Sequence, residues 1–284
     1  MAVLLLSLLA ATCGVAAVDC AARPVKTCAS GAAAKAQCAA VRDACVRRKG
    51  LFFVGNSFTF VNKLPAMLAT LATRAGKHIR QSSETKGSMR LWDHFYSLNA
   101  SALASAYLAD GNVGDVLLLQ DQSQAEAMGT SFWTTWSKPP TSGFRARAVS
   151  DGYEAMLWMT WGYSNGDRSN WGDSDSYASM QDRISAGYRG LAAATGASLC
   201  EVGEVWRKVY DHLVASGRSV QVLYHEKLPF GKHPTVLGTY VAATSLYTCL
   251  YHQNAVGQLW RPKGVSALDA ALVRSLAATT LLAR

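Results

Sequence analysis

The sequence predicts an α/β protein in which helices cover both faces of a parallel sheet, and three observations predict it. Short apolar runs recur at Leu51–Val54, Val116–Leu119 and Ala155–Met159, each followed by a polar or glycine-bearing turn, as strands buried on both faces require. Between and after them, Leu64–Arg74, Met180–Thr195 and Glu204–Ala215 carry apolar residues at helical spacing. The two kinds of segment alternate along the chain, which is the pattern of successive βαβ units.

Bulk properties agree with one sizeable core. The 284 residues are 50% hydrophobic and 17% charged, which excludes a disordered chain. A net charge of +9 favours acidic surfaces or polyanionic glycans, but the basic residues are scattered and Arg47-Arg48-Lys49 is the only run, so nucleic acid is not an expected partner.

Residues 1–17 are almost continuously apolar and end in small residues, the pattern of a secretory signal peptide cut before Val18. The run is too short to span a bilayer, and no later segment is long and apolar enough. An exported chain would keep six cysteines, and an even number there reads as disulfides. Cys20, Cys28, Cys38 and Cys45 crowd residues 18–48, expected to be a small stapled appendage, and Cys200 and Cys249 remain as the third pair. The early spacings lack the close pairs of a zinc site, so no metal is expected. Asn99-Ala100-Ser101 is a glycosylation sequon in an exported chain. Residues 49–284 form the main domain.

Leu51-Phe52-Phe53-Val54 runs into Gly55-Asn56-Ser57, a tight turn that would lift Ser57 past the end of a buried strand, where α/β proteins collect reactive groups. Leu64–Arg74 is the crossover helix. A polar stretch, Gln81–Asp93, is centred on Gly87. The strand Asp115–Leu119 leads into Gln120-Asp121-Gln122-Ser123-Gln124, and residues 128–141, with Phe132, Trp133, Trp136 and Pro139-Pro140, read as an aromatic loop over the same edge. Ala155–Trp161 is the next strand, followed by Gly162-Tyr163-Ser164-Asn165-Gly166. That turn matches the G-x-S-x-G elbow of α/β-hydrolases, yet a polar loop follows it where an elbow requires a helix. Ala197–Gly203 is a further strand. His233 then sits on a loop ahead of a helix over Val236–Cys249.

Gly55-Asn56-Ser57 and Gly231-Lys232-His233-Pro234, in this order and at this spacing, resemble the first and last blocks of the SGNH (GDSL-like) hydrolases. The likeness extends over roughly Gly50 to Leu250 and is closest to the branch with a GNS first block and a Q-x-Q-S third block. It implies a three-layer α/β/α fold with a flavodoxin-like parallel sheet and no cofactor. Ser57 would be the nucleophile and His233 the general base. The Ser57 and Gly87 N–H groups, with Gln124 or Gln122, would hold an oxyanion.

One position departs from the family. Phe230 stands three residues before His233, where an aspartate is usual. Glu226 is the nearest carboxylate and the candidate replacement; His225, or a bare dyad oriented by a backbone carbonyl, are the alternatives. The expected function is a secreted serine esterase that removes acyl groups, acetyl among them, from a carbohydrate or small-molecule ester. Two rivals stand beside it: an inactive glycan-binding protein on the same scaffold, and an α/β-hydrolase using Ser164. Oligomeric state is left open.

Overall fold

The computed structural model describes residues 49–108, 115–255, 257 and 260–283. The expected signal peptide, the appendage at 18–48 and its four cysteines lie outside the described residues. Five strands build one sheet: β1 (Lys49–Gly55), β2 (Ile79–Thr85), β3 (Val116–Leu119), β4 (Glu154–Trp158) and β5 (Ser198–Cys200). Every neighbouring pair is parallel and the spatial order is β2-β1-β3-β4-β5, the flavodoxin-like order. The strand order reverses between β1 and β3. Ligands of open α/β sheets bind in the crevice beyond the carboxyl ends of the strands at such a point, and both the Ser57 turn and the Gln120–Gln124 loop leave the sheet there.

The central strands form where the sequence is apolar without alternation, because a parallel sheet has no wet face. Leu51, Phe53, Val54 and Leu117–Leu119 are all inaccessible to solvent. β2 is different. Its sequence, Ile79-Arg80-Gln81-Ser82-Ser83-Glu84-Thr85, buries only Ile79, because the strand lies at the sheet edge and pairs with β1 alone. No apolar run announces it.

The helix Leu64–Arg74 starts with a proline in its first turn, where no N–H is needed, and buries Leu64, Leu68, Leu71 and Ala72 along one stripe. It packs against Val236–Tyr251, which also meets Val202–Ala215 and Ala267–Leu281 and is therefore apolar nearly all round. Residues 128–141 do not form the expected aromatic loop. They enter two helices, Thr130–Trp136 and Lys138–Ser150, because Pro139 and Pro140 fall in the first turn of the second helix, where proline is tolerated. Trp133 turns into the core.

Cys200, at the end of β5, is disulfide-bonded to Cys249 on the helix Val236–Tyr251, with Cα atoms 5.8 Å apart. The bond closes a loop of about fifty residues, and such a cross-link contributes about 2–4 kcal/mol, mainly by restricting the unfolded chain. Peptide mapping without reduction should recover residues 200 and 249 in one cross-linked fragment. Replacing both cysteines with alanine should lower the urea-unfolding free energy by about that amount.

Candidate active site

The turn after β1 is shaped by close approach. A Cβ on Gly55 would lie 2.4 Å from Thr59 Oγ1 and 2.6 Å from Gln120 Oε1, so only glycine fits. Gln120, one residue past β3, uses its whole amide here: Oε1 accepts from Asn56 N–H (3.0 Å) and Thr59 Oγ1 (2.9 Å), and Nε2 donates to Asn56 Oδ1 (3.0 Å). Asn56 Oδ1 also accepts from Phe58 N–H at 3.1 Å and so caps the short helix Ser57–Phe60. Because Asn56 is the cap, the Ser57 hydroxyl is free for another partner.

That partner is His233. Its Nε2 lies 2.8 Å from Ser57 Oγ, across 176 positions of sequence. The loop that carries it is closed at its neck, where His225 N–H donates to His233 O (2.8 Å) and Tyr224 pairs with Pro234. The closure brings Glu226 beside the ring, with Oε1 against Nδ1. Glu226 Oε2 accepts from the Lys232 and His233 N–H groups, each at 2.9 Å. Burial pushes this carboxyl up, but the bonds from Lys232 and His233 outweigh it and bring its pKa down to about 2. Among the described residues Lys227 makes no ion pair with it. Phe230 lies on the surface, 68% exposed. Sequence reasoning missed Gln221, which staples the loop: Nε2 donates to Tyr224 O (2.7 Å) and Glu226 O (2.9 Å), and Oε1 accepts from Leu228 N–H (2.8 Å).

The loops after β2 and β3 come up to the Ser57 turn. Lys86 N–H donates to Gly55 O at 3.2 Å, and Asn56 Nδ2 donates to Met89 O at 3.1 Å, which places Gly87 in the loop alongside the Ser57 turn. Gly87 is exposed with open space around it, and no described group accepts from its N–H or from that of Ser57. Gln122 is committed to its own loop: Nε2 donates to Ser123 Oγ (3.3 Å) and Gln124 Oε1 (3.2 Å), and Oε1 accepts from Gln124 N–H (2.8 Å). The Gln124 amide N–H₂ has no such partner among the described residues. No group of three or more metal-binding side chains occurs among the described residues.

Ser164 is placed elsewhere and differently from the elbow its motif suggested. Its hydroxyl donates to Pro229 O (2.8 Å) and accepts from Gly231 N–H (2.9 Å), and its own N–H donates to Gly231 O (2.8 Å). Among the described residues no histidine hydrogen-bonds to it, and the helix that follows, Arg168–Trp171, has only four residues. The turn is a strut for the His233 loop. Trp161 Nε1 donates to Lys232 O (3.0 Å), and Tyr163 OH meets Ser123 Oγ (2.6 Å), so the strut also holds the Gln120–Gln124 loop.

No family model and no curated protein matches the chain. Solved structures do. A DUF4886 family protein from Bacteroides uniformis superposes with a TM-score of 0.66 at 15% identity, over 83% of this chain and 95% of that one. A candidate SGNH hydrolase from Slackia heliotrinireducens gives 0.53 at 24%, over 70% and 97%. An acetyl xylan esterase gives 0.50 at 14%, over 70% and 98%. At these identities the likeness is one of fold.

In and just after the Gln120–Gln124 loop, Asp121 and Glu126 are both buried. Asp121 Oδ1 accepts from Leu91 N–H (2.9 Å) and Gln122 N–H (2.7 Å), whereas neither Glu126 oxygen has a partner among the described residues. Burial first, and then repulsion from Asp121, push the Glu126 carboxyl well up. A raised folded-state pKa gives stability that is full below the unfolded chain's pKa and is lost as pH rises toward the folded one. Glu126→Gln is neutral at every pH. Its stability relative to the natural protein should therefore grow as pH rises above the ordinary carboxylate range, by up to about 1.4 kcal/mol per unit, in urea unfolding.

Proposed function

We propose that this protein is an ester hydrolase of the SGNH type. The observation that carries the reading is the chain of contacts Ser57 Oγ to His233 Nε2 and His233 Nδ1 to Glu226. A serine hydroxyl is a weak nucleophile until a positioned base takes its proton, and an imidazole is a good base when a carboxylate fixes its tautomer and balances the charge it gains.

In this mechanism Ser57 Oγ attacks the ester carbonyl while its proton passes to His233 Nε2. The Ser57 and Gly87 N–H groups and the Gln124 amide donate to the oxyanion; Gln124 is favoured over Gln122 because its N–H₂ is uncommitted. Loss of one such donor costs about 2.7–4 kcal/mol in comparable enzymes. His233 then gives its proton to the leaving alkoxide and an acyl-Ser57 ester remains. Water, deprotonated by His233, releases the acid and restores the serine. Glu226 remains ionised throughout, as its low pKa favours.

The substrate is read as an acyl ester of a carbohydrate or other small alcohol. The setting is read as extracellular, supported by the signal-like residues 1–17, by the Cys200–Cys249 bond and by the exposed sequon residue Asn99. The acetyl xylan esterase among the structural neighbours supports this substrate class by analogy.

A fluorophosphonate probe should label Ser57, with labelling lost in Ser57→Ala and still directed to Ser57 in Ser164→Ala. Label on residue 164 would transfer the function to the other serine. Glu226→Gln should lower kcat on 4-nitrophenyl acetate by about a hundredfold or more with little change in KM, because the lost interaction belongs to the charged imidazole of the transition state. A silent Glu226→Gln would remove the carboxylate from the mechanism.

A further inference from the structure

Immediately after the Gly87 loop the chain builds a rim of rings around one ion pair. Arg90 precedes the helix Leu91–Tyr96, and Asp93 Oδ2 accepts from its N–H (3.0 Å) and Nε (3.2 Å), while Oδ1 accepts from Nη2 (3.3 Å). The guanidinium lies 5.0 Å from the centre of the Trp136 ring. Trp92 meets Trp136 edge-on at 5.1 Å and Tyr96 at 4.4 Å. These groups are not core. Tyr96 is 53% exposed, the Arg90 and Asp93 side chains are 33% and 26% exposed, and Trp92 and Trp136 are each half-buried.

The position ties the rim to the crevice. Met89, the residue before Arg90, accepts from the side chain of Asn56, the neighbour of Ser57, and Leu91 N–H is held by Asp121 at the third block. We propose that Trp92, Trp136, Tyr96 and the Arg90–Asp93 pair form a subsite for a neutral sugar ring, the alcohol part of the ester; this rests on the esterase reading of Ser57.

The composition selects that ligand. A pyranose has an apolar C–H face, which suits an aromatic ring, and a girdle of hydroxyls, which suits side chains that both donate and accept. An acyl chain laid here would strip water from the Arg90–Asp93 pair without replacing its hydrogen bonds, which is unfavourable. An acidic sugar would find no net charge, since Asp93 already neutralises Arg90. The guanidinium keeps a free edge, because Nη1 has no partner among the described residues.

Two measurements test the subsite. On acetylated xylotetraose, Trp92→Ala, Trp136→Ala and the surface variant Tyr96→Ala should each raise KM about tenfold, with less than about twofold change in kcat/KM on 4-nitrophenyl acetate. Separately, Ser57→Ala protein should show saturable quenching of tryptophan fluorescence with at least one unesterified tetraose of xylose, mannose, glucose or N-acetylglucosamine, and Tyr96→Ala should weaken it. Turnover of the nitrophenyl ester, with unchanged KM in the variants and no quenching by any tetraose, would overturn the subsite and leave the esterase reading intact. Quenching that Tyr96→Ala weakens, in a protein that hydrolyses no ester, would support the subsite and remove the esterase. Tighter binding of tetragalacturonate than of every neutral tetraose would overturn the assignment to a neutral sugar.

Discussion

The amide of Gln120 and the side chain and backbone of Asn56 tie together the carboxyl ends of β1 and β3, and the rest of the crevice is built on that pair. Both side chains are buried, where an amide left without partners would be costly, so each must use its donors and acceptors in one arrangement. That requirement fixes where the chain leaves β1 and therefore where Ser57 stands. It extends outward through Asn56 to Met89 and, one residue on, through Asp121 to Leu91, so the loops after β1, β2 and β3 share one polar seam. His94 adds to it, with Nε2 donating to Gly55 O at 2.8 Å; burial outweighs that bond and holds the ring's pKa down.

The parts of this design that the sequence made legible are those where one physical cause dominates. The strands β1, β3 and β4 could be read because burial on both faces leaves no alternative to apolar residues. β2 could not, because an edge position relaxes that demand and leaves a polar segment that reads as loop. Ser57 and His233 were marked by their flanking residues, but the pairing of His225 with His233 that brings Glu226 under the ring depends on the bridge between Tyr224 and Pro234, and no local pattern encodes it. The three glutamines of the loop after β3 show the same limit. Their types are alike, and only the fold decides that Gln120 holds the seam, Gln122 holds its own loop and Gln124 has an uncommitted amide.

Ser164 illustrates how a short motif can be present for a reason unrelated to its usual chemistry. Glycines on either side of a serine let a turn approach another segment closely, and here Gly162 admits Tyr177 and Gln181 and Gly166 admits Asp175 and Ser176, while the serine between them meets Pro229 and Gly231. The hydroxyl is consumed as donor and acceptor in the same contact. Tyr163 beside it is buried, and its phenol is pushed up to about 12 by burial, so it serves as a neutral hydrogen-bonding post against Ser123. The turn thereby supports the loop that carries His233.

Glu226 and His233 lie only seven positions apart, on a loop closed at its own base. Their meeting is set by that closure and not by a fixed count of intervening residues, so a pattern search demanding an acid three places before the histidine would discard this chain as defective. A search phrased as reach, asking for any carboxylate on a loop whose ends are paired beside the histidine, would retain it. Divergent chains set aside for lacking the aspartate could be re-sorted by that criterion before being counted as having lost their chemistry.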